Sequence, residues 1–132
     1  MKSDVEKISE KREKNCSVCS FRSLKNATLN SWSGLRYMLT ERAFLQELCL
    51  IPILLIYVLA KNFDPQFLLY LFSSYLLVLF AEIINTAIES VVDRVSFEFH
   101  ELSKKAKDIA SFAIMLALFH LVCVMIFGFF MY

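Results

Sequence analysis

Residues 67–93 read FLLYLFSSYLLVLFAEIINTAIESVVD, an apolar run relieved at its centre by Ser73 and Ser74 that passes without a turn signal into a segment carrying Glu82, Asn85, Glu89 and Asp93. The run is long enough to cross roughly 30 Å of hydrocarbon as a helix. In an α-helix the four polar residues stand at i, i+3, i+7 and i+11, on one face, while Ile83, Ile84, Ala87, Ile88, Val91 and Val92 take the others. An ionised carboxylate near hydrocarbon costs about 2–4 kcal/mol, so a helix rarely keeps one there without a use for it. Two carboxylates and an amide on one stripe therefore read as a metal or proton-transfer site that faces other helices.

The rest of the chain agrees with a membrane reading. Of 132 residues, 58% are hydrophobic and 14% aromatic, above the share in ordinary soluble domains. The mean hydropathy is +0.55. Glycine is confined to Gly34 and Gly128 and proline to Pro52 and Pro65, which favours long helices with short connections. The expected fold is an all-α integral membrane domain with three transmembrane helices, over about 45–60, 67–92 and 109–132. Pro52 lies inside the first of these and is expected to kink it. A short link, Lys61 to Gln66, joins the first two spans. A charged segment of helical character, residues 93–108, joins the last two.

Nine Lys and Arg residues precede the first span, Lys61 alone lies in the first link, and Arg94, Lys104, Lys105 and Lys107 lie in the second. The positive-inside rule then puts the N-terminus and residues 93–108 in the cytoplasm, where nucleotides are. Residues 1–20 are polar and read as a disordered tail with no signal peptide. Residues 21–42 place Phe21, Leu24, Leu29 or Trp32, Leu35 and Leu39 near helical spacing among basic residues, as an amphipathic surface helix would. Cys16 and Cys19 have the spacing of half a zinc site but no second pair nearby, and Cys49 and Cys123 read as apolar filler.

A second polar constellation follows the acidic stripe. If residues 98–108 are helical, His100, Lys104, Lys107 and Asp108 share a face. That segment alone would read as a solvated loop. Beside Glu82, Asn85 and Glu89 it suggests a nucleotide phosphate site with magnesium, which accepts few protein ligands and keeps its waters. Two glycines cannot supply a P-loop or a protein-kinase glycine loop. Glu41 and Glu47 sit at the start of the first span, and taken alone mark a helix start. A transporter or proton-conducting oligomer is the rival reading, helped by His120 within the third span, although such a ring more often makes an interhelical hydrogen bond. A non-catalytic assembly subunit, with Ser73, Ser74 and the stripe joining helices, is another.

The run from Ala81 to Arg94 resembles the signature of the small prokaryotic diacylglycerol kinases, whose Gram-positive relatives phosphorylate undecaprenol. The likeness continues through Glu98-Phe99-His100-Glu101-Leu102-Ser103 and Ala106-Lys107-Asp108, and upstream through Trp32, Gly34-Leu35-Arg36 and the segment Glu41 to Glu47. It covers about residues 21–132, and implies a homotrimer of three-span subunits in the bacterial inner membrane that transfers phosphate from MgATP to a lipid hydroxyl. It further implies Glu82 as general base with Asn85 beside it, and Glu41 and Glu89 as the carboxylates that hold magnesium. Glu98, Phe99, His100, Lys107 and Asp108 match nucleotide-contacting positions. Trp32, Arg36, Ala43, Phe44, Leu45, Gln46, Glu47 and Ser111, with Glu82, match positions at the lipid substrate. Ser23 and Asn30 stand where the family's surface helix often has an Arg and a Tyr. Arg94, the HELS run and AFLQE favour diacylglycerol over undecaprenol as acceptor. No nucleic-acid partner is expected.

Overall fold

A computed structural model describes residues 21–96 and 98–132, with the backbone alone for residues 21 and 22. The expected tail, with Cys16 and Cys19, lies outside the described residues. Among the described residues every regular element is helical: α1 (Phe21–Met38), α2 (Arg42–Leu48), α3 (Leu50–Leu59), α4 (Pro65–Val95) and α5 (Glu101–Met131). The chain divides into two units between Tyr37 and Met38.

In the first unit, α1 stops at Met38, four residues short of the expected surface helix. Thr28, Ser31 and Ser33 each donate a hydroxyl to the carbonyl four residues back, at 2.9, 2.9 and 3.0 Å, which satisfies hydroxyls that would otherwise compete with the helix. Arg36 sits one turn beyond Trp32, its guanidinium carbon 5.7 Å from the ring centroid.

In the second unit, three segments are long and apolar enough to cross a membrane: Arg42–Leu59, Pro65–Val95 and Glu101–Met131. The first is interrupted at Cys49, between α2 and α3. Pro52 explains the break: it has no N–H for the Leu48 carbonyl, and its ring crowds that carbonyl. The helix restarts at Leu50, so the proline falls in a first turn, where a missing N–H costs nothing. The third helix begins eight residues before the expected span, at Glu101, because His100 caps it: the ring Nδ1 accepts from the Leu102 N–H at 3.2 Å.

α4 and α5 run antiparallel along their length. Lys107 meets Asp93 at one end, Ser74 meets His120 in the middle, and Tyr132 meets Asp64, the cap of α4, at the other. The buried face of α4 repeats Phe67, Leu71, Ser74 with Tyr75, Val78, Ala81 with Glu82, and Asn85. Facing it, α5 buries Ala110, Ala117, Leu121 and Gly128. Small residues there let the backbones approach, which is how helices associate where lipid is as apolar as the core. Glu82 and Asn85 are thus the continuation of the packing stripe into one end of the bundle. No residue of α3 is fully buried: Leu50, Leu54, Tyr57 and Val58 pack part-buried against the core, while Ile51, Ile53, Leu55, Ile56 and Leu59 stay exposed.

The opposite end is closed by an aromatic clasp. Asp64 caps α4, accepting the Phe67 N–H at 2.6 Å with Pro65 at the first helical position. The Tyr57 hydroxyl donates to the Met125 carbonyl at 2.7 Å, and Lys61 donates to the Phe129 carbonyl at 2.8 Å while lying 4.5 Å from that ring. A methyl group added at Gly128 would lie 2.1 Å from Phe67 Cζ and 2.6 Å from the Tyr57 hydroxyl. Phe67 is itself packed against Phe63 and Tyr132 and cannot swing clear. Gly128→Ala is therefore expected to cost about 1–3 kcal/mol as an overpacked contact. Thermal unfolding in detergent, followed by circular dichroism, checks this, and an unchanged midpoint would show that the clasp yields.

The Tyr132 hydroxyl donates to Asp64 Oδ2 in the same clasp. That bond, with the Phe67 N–H, holds the Asp64 carboxyl below its ordinary value, and the same bond pushes the Tyr132 phenol up. The Asp64 contribution is present above the ordinary carboxylate range and fades as pH falls through the lowered value. The Tyr132 contribution is present below the ordinary tyrosine range and fades as pH rises through the raised one. Wild type should therefore exceed Tyr132→Phe in melting temperature at neutral pH, with the gap closing at both extremes. A gap independent of pH would assign the loss to ring packing.

Candidate functional site

The inward stripe of α4 supplies the site's carboxylates. Glu82 is 2% exposed, and its Oε1 accepts a long hydrogen bond, 3.5 Å, from Thr86 Oγ1. Asn85 is 6% exposed; its Nδ2 donates to Glu89 Oε1 at 3.1 Å, and its Oδ1 is buried with no partner. A buried acceptor left unpaired costs about 1–3 kcal/mol, so this oxygen is one that a donor on a bound molecule would satisfy. The other carboxylates are Glu89, two turns along α4, Glu41, the N-cap of α2, and Glu47 within α2. Among the described residues none of the four carboxylates closes an ion pair. Glu41 is the N-cap of α2, yet its side chain makes no capping bond and stays available. The Glu47 carbonyl is held by the Tyr75 hydroxyl at 3.1 Å, which ties α2 to α4.

Beyond Glu89, the end of α4, the link and the start of α5 enclose a polar cavity of about 580 Å³. Val92, Asp93 and Ser96 line it from α4 and its end, Glu98, Phe99 and His100 from the link, and Ser103, Lys104, Lys107 and Asp108 from α5. All five expected nucleotide residues, Glu98, Phe99, His100, Lys107 and Asp108, thus share one cavity. Of the four residues expected to share a helical face, Lys104, Lys107 and Asp108 lie on α5, whereas His100 has an extended backbone before the helix and reaches the cavity from the link. Phe99 is 82% exposed, an aromatic face open to the cavity mouth. Lys107 Nζ donates to Asp93 Oδ1 at 2.6 Å.

The expected lipid-side residues separate. Ala43, Leu45 and Gln46 are exposed on α2, Glu47 is half-buried, and Phe44 is turned in and 5% exposed. Ser111 is exposed on α5, one turn beyond Lys107. Trp32 and Arg36 belong to the first unit, on α1. Among the described residues no three His, Cys, Asp or Glu side chains are gathered as a metal-binding group. Glu82 and Glu89 on α4 offer hard carboxylate oxygens, a donor type that fits magnesium, which takes one or two carboxylates and draws its other ligands from phosphate and water. Asp93 is the residue the sequence reading left without a role. Its signal was present, as the next position after Glu89 on the same stripe.

His120 Nε2 lies 3.2 Å from Ser74 Oγ, the interhelical hydrogen bond that is the simpler reading of a histidine in a span. Ser74 also donates to the Tyr70 carbonyl at 2.8 Å.

A family model described as Prokaryotic diacylglycerol kinase matches residues 29–129. The chain is similar to the diacylglycerol kinase of Escherichia coli K12, 42% identical over 89 residues that make up 67% of this chain and 73% of that protein. It is 38% identical to the diacylglycerol kinase of Haemophilus influenzae over 96 residues, 72% of this chain and 81% of the relative. With that of Helicobacter pylori it shares 42% identity over 101 residues, 74% and 77% of the two chains.

Proposed function

The chain belongs to the prokaryotic diacylglycerol kinase family, and from that premise we propose that it transfers the γ-phosphate of MgATP to the hydroxyl of diacylglycerol, giving phosphatidic acid and ADP. The work is done at the cytoplasmic face of a bacterial inner membrane, by a homotrimer. The observation that carries this reading is the succession along one helix face of a buried carboxylate, Glu82, and a polar cavity reaching from Asp93 to Asp108. A lipid hydroxyl would reach the first from the bilayer once Glu82, 2% exposed here, is uncovered, while ATP enters the second from water.

Glu82 takes the proton from the acceptor hydroxyl as its oxygen attacks the γ-phosphorus and the bond to ADP breaks. The unpaired Oδ1 of Asn85 is an acceptor for a donor on the bound substrate, and its amide fixes Glu89. Glu41 and Glu89 would hold the magnesium, which when bound would neutralise charge on the phosphate oxygens. Lys107 leaves Asp93 for a phosphate oxygen. Glu98, Phe99, His100 and Asp108 hold the nucleoside. The α2 segment Ala43 to Glu47 and Ser111 receive the lipid. An open apolar groove between α3 and α4, lined by Leu54, Val58, Leu71 and Tyr75 among others, ends beside the Glu47 carbonyl and suits an acyl chain. Phosphoryl transfer needs in-line positioning and charge neutralisation more than covalent chemistry, and these side chains supply both.

The test is transfer of labelled γ-phosphate by the purified protein in mixed micelles, with diacylglycerol and undecaprenol offered in parallel. Phosphatidic acid as the main product is expected. A preference for undecaprenol would keep the chemistry and change the acceptor, and no lipid product from folded protein would overturn the proposal.

A further inference from the structure

The first turns of α5 carry another hollow, of about 430 Å³, on a face that the reaction leaves largely unused. Glu101, Lys104, Lys105 and Asp108 form its polar side, and Ile109 and Phe112 its apolar side. Lys104 and Asp108 also border the nucleotide cavity; Glu101 and Lys105 do not. Glu101 with Lys105, and Lys104 with Asp108, stand at i and i+4, the spacing that lets a helix close its own ion pairs. Neither pair closes: among the described residues the ion pair at this end of α5 is the one between Lys107 and Asp93. Two ammonium groups and two carboxylates are therefore left side by side at the end of a membrane-spanning helix. Directly along the helix, Ile109 is 61% and Phe112 52% exposed, and Leu116 and Phe119 extend the same stripe.

Charge and shape together match one kind of molecule. Lysine ammonium groups pair with a phosphate, carboxylates with a primary ammonium, and the stripe Ile109–Phe112–Leu116–Phe119 offers a track for an acyl chain. We infer that this face of α5 binds a zwitterionic phospholipid with a primary-amine headgroup, of the phosphatidylethanolamine type. Its phosphate rests on Lys104 and Lys105, and its ammonium donates to Glu101. A choline headgroup carries the same net charge but has no N–H to donate. A glycerol headgroup engages the lysines and leaves the carboxylates facing an anion. A protein helix would have to bury four charges to lie here, at a cost that lipid at the membrane surface avoids.

The experiment is native mass spectrometry of the delipidated full chain in detergent, offered an equimolar mixture of phosphatidylethanolamine, phosphatidylcholine and phosphatidylglycerol with identical acyl chains. Phosphatidylethanolamine should be retained over phosphatidylcholine by roughly threefold to fivefold, the worth of one or two exposed charge pairs. Glu101→Gln should bring that preference toward unity and raise phosphatidylglycerol retention, whereas Lys105→Gln should lower retention of all three lipids and leave the ratio of phosphatidylethanolamine to phosphatidylcholine in place. Both positions are exposed, and helix content and melting temperature serve as fold controls. Equal retention of phosphatidylethanolamine and phosphatidylcholine by the wild-type chain overturns the inference without any variant. So does a preference that survives Glu101→Gln, or phosphatidylglycerol retention that dominates and ignores Glu101→Gln, which would reduce the site to lysines attracting any phosphate.

Discussion

Glu82→Gln is expected to lower kcat by about a thousandfold, within the range by which a positioned base accelerates proton transfer, while leaving KM for ATP and helix content near wild type. The substitution is close to isosteric, and the amide oxygen can keep the long hydrogen bond from Thr86. What it removes is the capacity to take a proton. Because Glu82 is 2% exposed, helix content and melting temperature serve as fold controls. The polar cavity that would take ATP begins at Val92, further along the helix, which is why nucleotide affinity should hold. Phosphate transfer in mixed micelles under saturating lipid reads the effect. A variant with full turnover would remove Glu82 from the chemistry, and a variant with normal kcat but weakened lipid KM would make it a binding residue instead.

Much of this arrangement is legible from residue spacing, and what is not has a common physical cause. Periodicity within one helix is set by local geometry, so the stripe from Glu82 to Asp93 can be placed on one face from sequence alone. The Asp64-Pro65 cap is equally local, since a capping carboxylate and a proline at the first helical position act within one turn. Pro52 foretells a disturbance, but its site at Cys49 depends on which carbonyl the ring displaces, three to four residues upstream. His100 shows where local reading slips: a histidine before a polar helical segment can extend the helix or cap it, and the Leu102 N–H decides for the cap. Phe44, matched to a lipid-side position, is turned in by the packing of α2 on α4, which α2's own seven residues do not encode.

Contacts between helices are further out of reach. Tyr57 with Met125, Lys61 with Phe129 and Tyr132 with Asp64 each join residues 68 apart. They depend on how α5 is rotated against the hairpin formed by α3 and α4, and no window of sequence reports a rotation between elements. The position of Gly128 under Phe67 belongs to the same class: the glycine is visible in the sequence, but the ring it admits is not. The Lys107–Asp93 pair, 14 residues apart across a turn, is intermediate, since both partners stand out as polar but their meeting requires the turn at residues 96–100.

That pair yields the other large effect. Lys107→Met should lower kcat/KM for ATP by about 10- to 150-fold, the worth of one charge-assisted hydrogen bond to phosphate. The loss should not be one of folding, because the Lys107 and Asp93 side chains are 37% and 44% exposed and an ion pair so open to water adds little to stability. Asp93→Asn keeps an oxygen near Lys107 and removes the charge that holds it, so a smaller loss is expected, roughly twofold to fivefold. The two substitutions together decide how Asp93 works. If it acts only by positioning Lys107, the double variant should be no worse than Lys107→Met alone, since nothing is left to position. Losses that multiply would mean that Asp93 meets the nucleotide or its magnesium directly. Normal kcat/KM in Lys107→Met would move the phosphates elsewhere in the cavity, with Lys104 as the next cation on its wall.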